Sequence, residues 1–145
     1  MTSTLDLSPA ARREIAEACE RLSLDYSHFA DTGRMEDWAG LFAEDGELHL
    51  FGQIQKGREA IRNAVAGGGD NATLHCVSNI RIDVLSEDEA SGTAYVSAFV
   101  KAAGASTSAS VGPATVGVYR DRYRRTSEGW RFAQRAFEPF LMRAG

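Results

Sequence analysis

"NATLHCVSNIRIDVL", residues 71–85, is the stretch on which the fold turns. Before it, apolar residues recur every three or four positions; from it onward they recur every second position. The chain therefore reads as helices first and sheet later, an α+β layer structure. Alternation along a strand sends successive side chains to opposite faces. Leu74, Cys76, Ser78, Ile80, Ile82 and Val84 take one face, and His75, Val77, Asn79, Arg81 and Asp83 the other. His75 is thus placed on the less apolar face, which suits either a semi-polar cavity or solvent. Residues 90–102, 114–125 and 129–138 keep the same period. "SEDEA" and "RTSEG" between them are short polar turns, consistent with antiparallel hairpins. "AAGASTSASVGP", 102–113, reads as a loop or an irregular strand end.

Upstream, "SPAARREIAEACERLSLDYSHFADTG" predicts a long helix over residues 8–30. Ser8 caps it, Pro9 takes the first helical position, and Gly33 suits a left-handed stop. Ile15, Cys19, Leu22, Tyr26 and Phe29 form one apolar stripe. "RMEDWAGLFAEDGEL" predicts a short second helix with Met35, Trp38, Leu41 and Phe42 on one side, and "ELHLFGQI" a strand. Residues 57–65 predict a third helix with Ala60, Ile61, Ala64 and Val65 inward; "GGGDN" then breaks the chain.

With 145 residues, no repeat and no linker, the chain is expected to be one domain, residues 1–145. A formal charge of −4 gives no general attraction to nucleic acid or anionic membrane. The N-terminus lacks the apolar run of a signal peptide, so the expected location is cytoplasmic by default. Cys19 and Cys76 are too sparse for a disulfide framework and read as reduced, buried thiols. The three histidines show no HxxxH or HExxH spacing, so no metal is expected, although His75, Asp31 and His49 could assemble in space. No GxSxG, Walker loop or GxGxxG is present.

Several single residues stand out. Asp31 ends the first helix, where negative charge is disfavoured, so either another group holds it or it simply forms the turn. Tyr26 lies on the apolar stripe, and its hydroxyl needs a partner if buried. Arg135 sits between Ala133 and Phe137, suited either to burial against a carboxylate or to the sheet margin. His28 lies off the stripe, and His49 alternates with Leu48 and Leu50. In "YRDRYRR", Arg120, Arg122 and Arg124 face away from Tyr119 and Tyr123, which favours a solvated or subunit-facing row over a nucleic-acid platform.

"YSHFADTGRMEDWAGLFAEDGEL", "KGREAI", "LHCVSNIRIDVLSEDEASGTA" and "YRDRYRRTSEGWRFAQRAF", in that order, resemble the SnoaL-like branch of the nuclear transport factor 2-like superfamily, over about residues 10–140. The resemblance implies a cone-like, curved antiparallel sheet wrapped around the long N-terminal helix, with two shorter helices and a deep pocket. Scytalone dehydratase and lindane dehydrochlorinase hold an Asp at the end of the first helix against a His on the strand after the third, and Asp31 and His75 fall at those places. Arg135 matches an Arg of the dehydrochlorinase, and Tyr26 the oxyanion-donating Tyr of ketosteroid isomerase. Ala30 stands where scytalone dehydratase has Tyr, Tyr26 where the dehydrochlorinase has Lys, and "ELHLFG" lacks the isomerase's Asp. The resemblance implies a cofactor-independent lyase or isomerase of the dehydratase, polyketide cyclase or isomerase type. Its hydrophobic small-molecule ligand would be lined by Phe29, Trp38, Phe42, Val77, Asn79 and Phe99. It equally admits a non-catalytic binding or assembly module or the small subunit of a ring-hydroxylating oxygenase, and it implies a homodimer or homotrimer.

Overall fold

The structure, a computed structural model, describes residues 6–66, 70–108 and 110–144. The side chain of Val65, expected inward, and Gly67, Gly68, Gly69 and Ala109 lie outside the described residues. Three helices, α1 (Pro9–Asp31), α2 (Met35–Ala39) and α3 (Arg58–Ala66), accompany six strands: β1 (Phe42–Leu50), β2 (Gln53–Lys56), β3 (Ala72–Val84), β4 (Glu89–Lys101), β5 (Thr115–Thr126) and β6 (Gly129–Met142).

α1 starts as its sequence dictates: Ser8 Oγ accepts from the Ala11 N–H at 3.1 Å, and Pro9 follows. Ile15, Cys19, Leu22 and Tyr26 are buried, joined by Ser23 and Ser27. Gly33 turns the chain at φ +72°. α2 stops at Ala39, so "FAEDGEL" is strand rather than helix. Its Gly46 lies against β6, where a Cβ would come within 3.0 Å of the Phe132 carbonyl oxygen. "ELHLFGQI" is two strands, because Phe51 (φ +48°) and Gly52 (φ +78°) form a two-residue hairpin turn.

The strands form one sheet in the order β2-β1-β6-β5-β4-β3. The expected cone-like, curved antiparallel wrap is corrected on two points. The sheet is open, with β2 and β3 as separate edges, neither closed nor strongly curled. It is also mixed: β3 to β6 make the expected antiparallel hairpins, but β1 runs parallel to β6. β1 arrives from the helical half of the chain and joins the far side of β6, a placement that hairpin periodicity does not encode.

Two bulges reset the alternation read from sequence. In β3 the register shifts between Ser78 and Arg81, with Asn79 at φ +52°. Thr73, His75 and Val77 therefore share the half-buried face with Ile80, Ile82 and Val84, while Leu74, Cys76, Ser78, Arg81 and Asp83 are exposed. Asn79→Val is expected to destabilise the protein by about 1–2 kcal/mol in urea unfolding, and Asn79→Gly to leave it nearly unchanged, because a β-branched side chain resists positive φ. In β6 a second shift, opposite Arg122 and Tyr123, turns both Phe132 and Arg135 inward.

The interior is aromatic. Tyr26 packs against Trp38 at 5.3 Å and Tyr119 at 5.5 Å between ring centres; Phe132 contacts Phe42 at 5.2 Å and Tyr123 at 5.3 Å. On the other sheet face the arginine row pairs with acids, Arg120 with Glu138 at 2.7 Å and Arg124 with Asp45 at 2.5 Å. The cysteines differ from expectation: Cys19 is buried but Cys76 is exposed, since the phase set by the bulge turns it outward. Burial, with a smaller contribution from Asp121, pushes the Cys19 thiol up to about 12. A thiol reagent at pH 8 is therefore expected to label Cys76 alone, and Cys19 only after denaturation, as counted by mass spectrometry.

Candidate active site

α1 ends at Asp31 directly over β3, and the half-buried face of β3 carries Thr73 and His75. Asp31 Oδ1 lies 2.5 Å from His75 Nδ1, and Oδ2 accepts the His75 backbone N–H at 2.8 Å. Thr73 donates its hydroxyl to Oδ1 at 3.0 Å. This resolves the question of the helix end: three donors hold the carboxylate that the α1 carbonyl terminus would otherwise disfavour. A carboxylate only accepts, so Nδ1 carries a ring proton, and in the neutral imidazole Nε2 is then the nitrogen with the free lone pair. Nε2 has no hydrogen-bond partner among the described residues. Each side chain of the pair is 19% exposed, desolvated yet reachable.

Across the sheet from His75 the register runs through Ala98, Thr115 and Met142, and from Val77 through Val96, Gly117 and Pro139. The side chains between His75 and β6 are thus small. Phe137 folds over Gly117, where a Cβ would come within 2.6 Å of its ring, and it also packs against Phe51 at 5.5 Å.

Tyr26 and Arg135 lie deeper. Arg135 is fully buried and grips Asp121, Nε to Oδ1 at 2.9 Å and Nη2 to Oδ2 at 3.1 Å, while Nη2 also donates to Ser23 Oγ at 2.7 Å. Its guanidinium lies 3.7 Å from the Tyr119 ring centre and 4.4 Å from that of Tyr26. Burial works against the Arg135 charge, but the Asp121 carboxylate and its hydrogen bonds outweigh that, and the net shift is upward. Burial raises the phenols of both Tyr26 and Tyr119, so they remain protonated donors.

The remaining expected residues scatter. Trp38 and Phe42 lie in the closed aromatic core and Val77 beside His75 on the inner face. Phe29 instead lines a groove between α1 and α2, with Leu22, Leu41, Trp130 and Arg131, where Arg34 covers its ring at 4.5 Å. Asn79 is exposed at the bulge, and Phe99 pairs with exposed Leu74, on the face opposite His75. His28 is exposed, and His49 pairs with Glu47 at 3.1 Å, away from the dyad. Among the described residues no group of three or more His, Cys, Asp and Glu side chains forms a metal-ligand set, and no helix is long and apolar enough to cross a membrane. Sequence reasoning missed Thr73, Tyr119 and Asp121. Asp121 carried a signal, an acid alternating with Tyr119 and Tyr123 on the face opposite the arginines.

Comparison with known proteins places this arrangement in a class. The model of the SnoaL-like domain matches residues 10–136. The chain belongs to the SnoaL-like family of the nuclear transport factor 2-like superfamily. Among solved structures it is similar to a protein of Novosphingobium aromaticivorans provisionally assigned as a scytalone dehydratase, at 28% identity over 94% of this chain and 91% of that one, with a TM-score of 0.80. It is also similar to Rv3472, a protein of unknown function from Mycobacterium tuberculosis, at 25% identity over 93% and 78% of the two chains, TM-score 0.79. A hexachlorocyclohexane dehydrochlorinase of Novosphingobium barchaimii shares the fold at 19% identity, over 94% and 93% of the chains, TM-score 0.75. No curated protein matches the chain.

Proposed function

We propose that the protein is a cofactor-independent lyase or isomerase that removes a carbon-bound proton from a hydrophobic small molecule. The observation that carries this reading is the Asp31–His75 pair, with Nδ1 occupied by the carboxylate and Nε2 left to accept a proton. The 28% identical relative assigned as a scytalone dehydratase supports the same class.

In the proposed step, Nε2 of His75 takes a proton from carbon beside a carbonyl or a leaving group. The C–H electron pair becomes the new C=C bond, and either the carbonyl oxygen gains negative charge or the leaving group departs with its bonding pair, as halide, or as hydroxide that takes the proton from the imidazolium and leaves as water. Asp31 stabilises the imidazolium. The protonated phenols of Tyr26 and Tyr119 and the unpartnered Nη1 of Arg135, whose guanidinium stacks on both rings, are the donors proposed to steady the developing negative oxygen. Ala98 and Val96 are proposed as the floor under the substrate, and Phe137, lying over Gly117, as its aromatic wall. Self-association into a dimer or trimer is part of the proposal, supported by exposed Leu74, Tyr95 and Leu141 on strands β3, β4 and β6.

The aromatic filling around Tyr26 favours a second reading, a ligand-binding or assembly module in which the dyad ties α1 to β3. A panel of hydrophobic β,γ-unsaturated ketones, β-hydroxy ketones and β-halo compounds, followed by mass spectrometry and NMR, separates the two. Loss of water or halide, or double-bond migration, supports the enzyme; binding without conversion supports the module.

A further inference from the structure

Asp31 is held by more than its histidine. Thr73 lies two residues before His75 on the same face of β3, and its hydroxyl donates to the same oxygen, Oδ1, that faces Nδ1. The His75 backbone N–H takes Oδ2. Without Thr73 the backbone donor still holds Oδ2, but Oδ1 is held only by the ring that it has to orient; with Thr73 both oxygens are fixed independently of the ring, and Oδ1 is aimed at it. No other hydrogen bond of the Thr73 hydroxyl exists among the described residues.

We propose that Thr73 is the positioning residue of the site: its hydroxyl orients Asp31 so that His75 keeps its proton on Nδ1 and presents Nε2 as the base. The role given to Nε2 rests on the function proposed above; the orientation of the ring does not, and it can be read without any substrate.

The test is the 15N spectrum of the His75 imidazole in the resting protein above its titration range, assigned by its loss in His75→Asn. In the wild type Nδ1 is protonated and Nε2 is not. In Thr73→Val, equal in shape but without the hydroxyl, the ratio of Nδ1–H to Nε2–H tautomers is expected to fall about tenfold, and Thr73→Ser is expected to restore it. Once a substrate is known, kcat should fall in proportion to the loss of the Nδ1–H population, with KM unchanged. Thr73→Ala gives the same readout if the valine variant folds poorly. An unchanged tautomer ratio in Thr73→Val and Thr73→Ala overturns the inference and leaves Thr73 as a tie between strand and helix. A shifted ratio in a protein that converts nothing upholds the inference and overturns the proposed function instead.

Discussion

His75→Gln is expected to lower kcat/KM on any converted substrate by about 10²–10⁴-fold, the usual contribution of a positioned general base. Glutamine keeps a polar side chain at the site but has no nitrogen that can take up a proton at neutral pH. Folding should be little affected, because Asp31 keeps the Thr73 hydroxyl and the backbone N–H of residue 75. Asp31→Asn should act in the same direction through a different cause. Its amide can donate to the ring, which favours the wrong tautomer and leaves the imidazolium without its counter-charge. Both variants should still bind ligand. If the dyad were only a tie between α1 and β3, the variants would lose stability and no activity would be at stake. Steady-state kinetics together with thermal unfolding distinguishes these outcomes.

Asp121→Ala is expected to destabilise the protein by about 3–5 kcal/mol, measured by urea unfolding, because it leaves the fully buried Arg135 guanidinium unpaired. Ser23 and the rings of Tyr26 and Tyr119 cannot replace a carboxylate that accepts from Arg135 twice and from the Tyr123 hydroxyl at 2.9 Å. Replacing both members, Asp121→Leu with Arg135→Met, should recover at least half of that loss, since it removes the unpaired charge together with its partner. If the single and double variants were equally unstable, the packing around Arg135 would matter more than its charge. The pair also defines what Arg135 is available for. With Nε and Nη2 engaged, only Nη1, buried and without a hydrogen-bond partner among the described residues, is left to donate elsewhere.

Much of the fold was legible along the chain. The Ser8–Pro9 start of α1, its apolar stripe, the Gly33 stop and the three hairpins of β3 to β6 follow from local rules, and the structure has them. What alternation could not supply was its own interruption. An extra residue near Asn79 puts His75 and Ile82 on one face, and another in β6 buries both Phe132 and Arg135. A bulge changes the phase of every residue beyond it and leaves no mark in the apolar period. The parallel entry of β1 beside β6 is a long-range pairing with no local signal, and with it went the expectation of a wrapped cone. The dyad was visible through family resemblance. Thr73 and Asp121 emerged only when strands distant in sequence were brought together.

Isotope exchange decides whether Nε2 of His75 accepts a proton from carbon. The protein is incubated in D2O with a hydrophobic ketone that binds it, and deuterium at the carbon beside the carbonyl is followed by NMR. Exchange is expected with the wild type, and at least a hundredfold slower exchange, on the order expected for loss of a general base, with His75→Gln at equal ligand occupancy. Exchange at the same rate in both proteins, or none in a wild type saturated with ligand, would contradict a proton-abstracting role for His75.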